Sequence, residues 1–321
     1  MYFTVSSFGR KYTVRAVDGV TLAFKRGETV GVVGESGSGK STLGRTLLRL
    51  YRPTKGRIVF MGKDITGLPE KKLRPLRRYM QLVPQDPYAA FNPRRRVGDS
   101  IREVLEAHGM ARGEEAREHV YKMLEAVGLT PPQDFYERYP YQLSGGQLQR
   151  AAIARAMIVK PVFVVADEPT SSLDVSVRAG IVDLLLEFKE KLNQTVMFIT
   201  HDIATAKLVA DRIAVMYLGK IVEIGPTQKL VEEPLHPYTK ALIDAVPRLH
   251  GKPTRIVRLK GEIADPRNPP SGCRLHPRCP FAKPECSRRE PPLIEVGRDR
   301  MVACWLYSEK QEQLDGAKMQ R

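Results

Sequence analysis

The fold is decided by residues 34–41, which read Gly-Glu-Ser-Gly-Ser-Gly-Lys-Ser. An apolar run at 29–33 precedes this stretch, and apolar residues at helical spacing follow it from 40 to 50. The glycines allow successive backbone N–H groups to converge on phosphate oxygens, and the start of the following helix favours negative charge. We therefore expect Lys40 to contact the β- and γ-phosphates of a nucleotide and Ser41 to ligate Mg²⁺. A chance glycine-rich turn is disfavoured by the strand before the stretch and the helix after it.

Two further apolar runs, at 162–166 and 195–199, predict strands that are covered on both faces. Between them, residues 177–192 carry apolar side chains at helical spacing. Strand, helix and strand joined by short connections predict a parallel α/β sheet. The polar pattern of helical spacing from 97 to 129 predicts a helical insertion between two parts of that sheet.

An acidic pair, Asp167 and Glu168, ends the first of these two strands. Side chains at the carboxyl end of a parallel strand point into the ligand crevice of such sheets. Asp167 is expected to hold Mg²⁺ through water, and Glu168 to polarise the attacking water as a general base. Alone, the pair could be an ordinary helix N-cap, but the phosphate-binding stretch upstream favours the catalytic interpretation.

A second glycine-containing turn, Leu-Ser-Gly-Gly-Gln at 143–147, opens a helical run that continues to residue 157. Its small residues leave the N–H groups at the start of the helix exposed, and such a helix start can bind a phosphate group. Two such turns are hard to explain for one nucleotide bound by one chain. They are explained if the second turn closes on a nucleotide held by another subunit.

The overall composition indicates a folded protein with a basic surface. The 321 residues include 52 Lys and Arg against 36 Asp and Glu, a net charge of +16, and 42% are hydrophobic. No apolar run approaches the roughly 18 residues of a membrane-spanning helix, and the first residues do not resemble a secretory signal, so a cytoplasmic location is expected. The charge suggests an anionic partner, namely nucleic acid, a lipid surface or a phosphorylated ligand, or merely an arginine-rich surface.

All four cysteines of the chain lie near its C-terminus, at Cys273, Cys279, Cys286 and Cys304. Clustered cysteines in a cytoplasmic protein more often ligate a metal than form disulfides. By count alone, four thiolates suit a [4Fe-4S] cluster or tetrahedral zinc equally well. The surrounding region from 247 onward is rich in proline and arginine, which indicates a boundary before it.

Taken together, these motifs resemble the ATP-binding subunits of ABC transporters. Residues 34–42 match the Walker A loop, 143–147 the signature motif, 162–168 the Walker B strand and 171–174 the D-loop. The resemblance implies a P-loop α/β core with a helical subdomain, and ATP bound between two such subunits arranged head to tail. It also implies that the Walker A residues that contact the nucleotide are Gly34, Ser36, Gly37, Gly39, Lys40, Ser41 and Thr42.

Single residues outside these motifs receive roles from the same resemblance. Gln85 matches the Q-loop glutamine and would contact Mg²⁺ and the attacking water, and His201 matches the switch histidine. Tyr12 is the expected aromatic partner of adenine, with Phe8 the weaker choice. The signature residues would act on the nucleotide of the partner subunit: Ser144, Gly145, Gly146 and Gln147.

A finer resemblance is to ATPases of the dipeptide/oligopeptide importer group, F type. It rests on residues 85–94, on 236–242 (His-Pro-Tyr-Thr-Lys-Ala-Leu) and on the spacing of the cysteines. The resemblance implies an ATPase domain at 1–235, with its helical subdomain at about 90–160, and a small cysteine-containing extension at 236–321. In this group such cysteines are associated with a [4Fe-4S] cluster, which favours that cluster over zinc.

The same resemblance implies a set of partners: a D-type ATPase subunit as heterodimer partner, two membrane permease subunits and an extracytoplasmic substrate-binding protein. The chain would then lie peripherally at the cytoplasmic face of the membrane. Oligosaccharides and nickel are alternative cargoes. A soluble ABC ATPase that acts on nucleic acid or ribosomes is disfavoured, because only 103 residues separate Lys40 from Leu143 and the chain has one phosphate loop.

Overall fold

The structure is a computed structural model that describes residues 1–7, 10–246 and 257–307. The strands in chain order are β1 (Phe3–Ser7), β2 (Arg10–Val14), β3 (Thr29–Val33), β4 (Val59–Phe60), β5 (Lys63–Asp64), β6 (Met80–Val83), β7 (Phe163–Asp167), β8 (Thr195–Thr200), β9 (Arg212–Tyr217), β10 (Lys220–Pro226), β11 (Ile294–Gly297) and β12 (Arg300–Val302). The α-helices are α1 (Lys40–Leu47), α2 (Glu70–Leu73), α3 (Val97–Ala107), α4 (Gly113–Ala126), α5 (Pro132–Glu137), α6 (Gly145–Met157), α7 (Val175–Leu192), α8 (Ile203–Val209), α9 (Thr227–Glu232), α10 (Pro237–Asp244) and α11 (Pro284–Arg288). Short 3-10 helices cover Arg74–Tyr79, Pro87–Ala90 and Pro140–Gln142.

The main sheet has eight strands in the order β11-β12-β10-β9-β3-β8-β7-β6. Neighbouring strands from β9 to β6 run parallel, as the strand–helix–strand pattern predicted. The pairs β9–β10, β10–β12 and β11–β12 are antiparallel, so the complete sheet is mixed. The prediction of a parallel sheet is therefore correct for the centre only, because the C-terminal strands join it by antiparallel pairing.

The central strands are buried on both faces, and alternate residues face different apolar clusters. In β7, Val164 and Ala166 pack with the helices of the insertion and with α7, whereas Phe163 and Val165 pack on the α1 side. This alternation follows from the period of two along a strand. It explains why an uninterrupted apolar run predicted this strand correctly.

A third apolar cluster joins the end of the sheet to the C-terminal region. It contains Tyr217 and Val222 from β9 and β10, Tyr238 from α10 and Leu275, all buried. Burying each such side chain stabilises the fold by about 1.5–3 kcal/mol relative to exposing it. The described C-terminal residues therefore pack as part of the same core, and the domain boundary at residue 235 stays a prediction.

A buried ion pair also fixes the C-terminal strands to the sheet. Glu223 on β10 is fully buried, and its carboxylate accepts hydrogen bonds from the backbone N–H groups of Leu235 and His236. Arg300 on β12 donates to the same carboxylate over 3.1 Å. A charge at this depth is tolerable only because its lone pairs are hydrogen-bonded and its charge is paired.

None of the helices in the described ranges is both long enough and apolar enough to span a lipid bilayer.

Candidate functional site

The phosphate loop connects β3 to α1, where the sequence predicts it, and its glycines are required by its shape. Gly39 has φ 100°, in the left-handed region, and a Cβ built on it would lie 2.0 Å from the Ala16 carbonyl oxygen. A Cβ on Gly34 would lie 2.1 Å from the Met216 carbonyl oxygen. Any other residue would clash with the backbone at both places. The glycines therefore let the loop lie against the backbone of Ala16 and of Met216 on β9. Loops of this kind direct backbone N–H groups towards phosphate oxygens.

Lys40 places a buried cation at the centre of this loop. Its Nζ donates to the carbonyl oxygens of Gly34 and Glu35 over 2.7 and 3.0 Å, and lies 3.8 Å from Glu168 Oε1. Burial lowers the pKa of Lys40, and the nearby carboxylates, Glu168 first, oppose that shift. A bound triphosphate would add negative charge beside this buried ammonium group.

Ser41 and Asp167 meet where the resemblance places Mg²⁺. The Ser41 hydroxyl donates to Asp167 Oδ1 over 2.6 Å, and Asp167 is 1% exposed. The other carboxylate oxygen, Oδ2, makes no hydrogen bond to the described residues and has the guanidinium of Arg45 3.7 Å away. Burial is the first cause of a raised pKa for Asp167. A hydroxyl and an incompletely satisfied carboxylate are ligands that suit Mg²⁺, which would remove the desolvation cost.

Glu168 lies at the centre of the predicted catalytic groups. His201 Nδ1 lies 3.1 Å from Glu168 Oε2, and Gln85 Nε2 lies 3.4 Å from the same oxygen. These three residues come from the ends of β7, β8 and β6, which are neighbours in the sheet, although 116 residues separate Gln85 from His201 in the chain. The arrangement can hold and polarise a water molecule beside the phosphate loop.

Glu168, His201 and Gln85 line an open cavity of about 740 Å³. This volume is in the usual range for small-molecule binding sites. The predicted residues that line it are Ser36, Gly37, Gly39, Lys40, Ser41, Thr42, Gln85, Glu168 and His201. Sequence reasoning missed the others, which are Val14, Arg15, Ala16, Glu35, Leu218, Gly219 and Pro266. These come from distant loops and strand ends and carry no local pattern. Only Glu35 could have been found, since it lies inside the glycine-rich motif.

Tyr12, Gly34, Asp167 and the signature residues are not among the described residues that line the cavity. Tyr12 lies half-buried on β2, with the guanidinium of Arg267 5.7 Å from its ring centre, and Val14 on the same strand lines the cavity. The adenine-stacking role of Tyr12 therefore stays a prediction. Phe8, the weaker choice, lies outside the described residues.

The signature turn forms the start of α6. Ser144 caps this helix: its hydroxyl accepts from the Gln147 N–H over 3.3 Å, and Gln147 Oε1 accepts from the Ser144 N–H over 3.1 Å. Ser144 and Gly145 are exposed at the surface. The turn thus has the geometry of a helix start open to a ligand, and its action on a partner's nucleotide stays a prediction.

Comparison with known families identifies the class of protein. The family model described as "ABC transporter" matches residues 17–171. The chain belongs to the ATP-binding subunits of ABC transporters, a family of ATP-hydrolysing enzymes. A second model, "Oligopeptide/dipeptide transporter, C-terminal region", matches residues 222–286 and assigns the chain to the oligopeptide/dipeptide importer group of that family. Both results confirm the predicted family.

Curated relatives match over nearly the whole chain. The oligopeptide transport ATP-binding protein AppF of Bacillus subtilis is 49% identical, with 96% of this chain and 95% of AppF covered. The di/tripeptide transport ATP-binding protein DppF of Pseudomonas aeruginosa is 46% identical, with 91% and 90% covered.

A solved structure confirms the predicted ABC ATPase fold and leaves the cysteine-containing C-terminal extension a prediction. The ATP-binding cassette MJ0796, in a structure described as a dimeric post-hydrolysis state bound to ADP and Pi, has 30% identity and a TM-score of 0.63. The alignment covers 70% of this chain and 96% of that cassette.

The prediction of an iron–sulfur cluster is wrong. Relatives such as AppF that cover more than nine-tenths of the chain are described as ATP-binding proteins. Within residues 1–7, 10–246 and 257–307, no group of three or more His, Cys, Asp or Glu side chains could hold a metal ion, which also removes the zinc alternative.

The surroundings of the cysteines give the physical reason. Cys273, Cys279, Cys286 and Cys304 do line a common cavity, but its volume is about 10 Å³, room for about one water molecule. Burial raises the pKa of Cys273 to about 12 and that of Cys304 to about 11. At neutral pH these two cysteines are therefore thiols. The spacing indicated that the four side chains meet, but not how tightly the proline-rich loops close around them.

Proposed function

We propose that the chain is the ATP-hydrolysing subunit that powers import of dipeptides and oligopeptides. The observation that carries the catalytic part is the convergence of Lys40, Glu168, Gln85 and His201 on one cavity beside the phosphate loop. The peptide cargo is supported by the C-terminal family match and by relatives described as oligopeptide and di/tripeptide transport proteins. These favour peptides over oligosaccharides or nickel.

In the proposed reaction, different residues of the chain bind the phosphates, hold Mg²⁺ and accept the proton of the attacking water. Lys40 and the loop N–H groups bind the β- and γ-phosphates, while Ser41 and Asp167 hold Mg²⁺. Glu168 accepts the proton of the attacking water. His201 and Gln85 fix the orientation of the Glu168 carboxylate through the contacts to its Oε2 atom.

The proposed assembly contains a second ATPase subunit of the D type, two permease subunits and an extracytoplasmic binding protein, with this chain at the cytoplasmic face of the membrane. The position of the signature turn supports a second ATPase subunit, because Ser144 and Gly145 are exposed and do not line the chain's own cavity. The dimeric state described for the MJ0796 cassette supports the same arrangement. Each signature turn would then close on the partner's nucleotide.

The test is uptake by the complete transporter, reconstituted in vesicles with its binding protein and a labelled dipeptide. We expect ATP-dependent dipeptide uptake by the native chain. In Glu168→Gln, hydrolysis should fall by at least about 100-fold because the general base is lost, while ATP still binds. Glu187→Gln, an exposed change on α7, is the matched control and should behave as the native chain.

The arms of this experiment separate the two parts of the proposal. Native hydrolysis rates in Glu168→Gln would refute the assignment of the base. ATP-driven uptake of Ni²⁺ or a labelled oligosaccharide without dipeptide uptake would refute the cargo alone.

A further inference from the structure

The C-terminal region contacts the phosphate loop through a residue that the ATPase motif does not explain. Arg278 forms a bidentate ion pair with Glu35: Nη1 lies 2.8 Å from Oε2 and Nη2 lies 3.3 Å from Oε1. The Arg278 side chain is 11% exposed and that of Glu35 is 30% exposed. Paired geometry of this kind is the strong form of a carboxylate–guanidinium contact.

The same region also holds the backbone of Glu35. The Glu35 N–H donates to the hydroxyl of Tyr238 on α10 over 2.7 Å, and Tyr238 is fully buried. The Tyr238 ring packs against Tyr217 with 4.8 Å between ring centres, and the guanidinium of Arg278 lies 5.9 Å from the centre of the Tyr217 ring. Glu35 is thus held at both its side chain and its backbone by residues packed around one aromatic pair.

The charge of Glu35 is unfavourable for a phosphate-binding loop unless it is compensated. Its carbonyl oxygen accepts from Lys40 Nζ over 3.0 Å, and Glu35 lines the same cavity as Lys40. The Glu35 carboxylate is also one of the charges that raise the pKa of Lys40, so its field reaches the place where phosphates would bind. A negative charge there repels a triphosphate.

We propose that Arg278 is a positioning residue for nucleotide binding: it neutralises Glu35 and holds it away from the triphosphate. The affinity of the ATPase site for ATP is thereby set in part by the C-terminal region. This inference rests on the proposed role of the phosphate loop.

The experiment measures the dissociation constant of a fluorescent ATP analogue on the full-length chain. Arg278→Ala should weaken binding about tenfold, because Glu35 is left as an uncompensated charge. The double variant Glu35→Gln with Arg278→Ala should bind within about twofold of the native chain, since the repulsive charge is gone. Arg289→Ala, which removes an exposed arginine paired with Glu285 in the same region, is the matched control and should bind normally.

A rescue by Glu35→Gln separates charge compensation from a merely structural role, because a distorted loop would stay weak in the double variant. In steady-state hydrolysis, Arg278→Ala should raise KM for ATP and leave kcat unchanged. If Arg278→Ala does not fold, Glu35→Gln alone still tests the inference: it should bind ATP at least as tightly as the native chain, and tenfold weaker binding would overturn it.

Two outcomes distinguish the possible failures. Native affinity in a folded Arg278→Ala chain, or a double variant as weak as the single one, would overturn this inference. Retained ATP binding in Lys40→Ala would instead overturn the assignment of the phosphate loop on which it rests.

Discussion

Glu168 follows β7 with a backbone φ of 45°, a left-handed conformation that costs a non-glycine residue about 1 kcal/mol or more. Its N–H donates to the Ile199 carbonyl over 3.0 Å, and its own carbonyl accepts from the Ser171 hydroxyl over 3.1 Å. The backbone is therefore held on both sides. The unfavourable conformation is the means by which a strand-ending carboxylate is turned towards His201 and Gln85.

Asp167, the residue before it, is expected to lower the stability of the nucleotide-free protein. Burial raises the pKa of Asp167, so the ionised carboxylate destabilises the fold once the pH exceeds the ordinary carboxyl pKa. Asp167→Asn should raise the free energy of unfolding without nucleotide by about 1–2 kcal/mol at pH 7. It should also abolish the thermal shift that we expect Mg²⁺ and ATP to produce in the native chain.

The measurement is thermal and urea unfolding with and without Mg²⁺ and ATP. Asp183→Asn, at an exposed position on α7, is the control and should change neither value. A less stable Asp167→Asn chain would show that the carboxylate is compensated in the free protein and would refute this account.

At the scale of single elements, the attachment of β12 depends on the buried pair of Arg300 and Glu223. Arg300→Ala should cost about 3 kcal/mol of unfolding free energy, because it leaves the Glu223 carboxylate charged and without its cation. Adding Glu223→Gln should recover part of this loss, since no uncompensated charge remains. Urea unfolding followed by circular dichroism measures both.

Arg298→Ala supplies the control, because Arg298 is exposed in the turn between β11 and β12. If the double variant were less stable than Arg300→Ala, then shape and packing, not the unpaired charge, would account for the loss.

Strands could be predicted from the sequence where a single local run of apolar residues defines them. β3, β7 and β8 are uninterrupted apolar runs, and each lies within one residue of its predicted position. The antiparallel strands β11 and β12 were not predictable in this way, since Ile294–Gly297 and Arg300–Val302 are short and follow a proline-rich region. Their structure depends on pairing with β10, which no local pattern shows.

The residues of the candidate site also fall into two groups: those that a local sequence pattern identifies and those that it does not. Lys40, Glu168 and His201 were predictable because glycine spacing and strand ends identify them. Pro266 and Arg278 were not, because no local pattern marks either residue: Pro266 lines the cavity, and Arg278 is linked to it only through its ion pair with Glu35. The four cysteines show the opposite error: their pattern was clear, but the size and polarity of their cavity decide the chemistry.

For the molecule as a whole, His236 is expected to make the fold sensitive to mild acid. This side chain is 1% exposed, and burial lowers its pKa to about 3. Its stabilising contribution is therefore complete above the ordinary histidine pKa of about 6.5 and is lost as the pH falls towards 3. Below pH 6.5 the native chain should lose up to about 1.4 kcal/mol per pH unit from this residue.

His236→Asn isolates that contribution, because asparagine can still cap α10 in place of His236 Nδ1, which accepts from the Tyr238 N–H over 3.2 Å. Urea midpoints at pH 7.5 and 5.5 should differ less in this variant than in the native chain. His119→Asn, exposed on α4, is the control. If the urea midpoint fell equally between pH 7.5 and 5.5 in the native and His236→Asn chains, the prediction would be refuted.

The continuation of the sheet into β12 and β11 also bears on aggregation. A chain cut after residue 235 would leave β10 with a row of unpaired donors and acceptors, which is a template for pairing with another molecule. In the uncut chain the strand at this edge of the described sheet is β11, which is four residues long, irregular between Glu295 and Gly297, and carries an exposed glutamate. Short, irregular and charged edges resist such pairing. The C-terminal strands therefore protect an edge that the ATPase strands alone would expose.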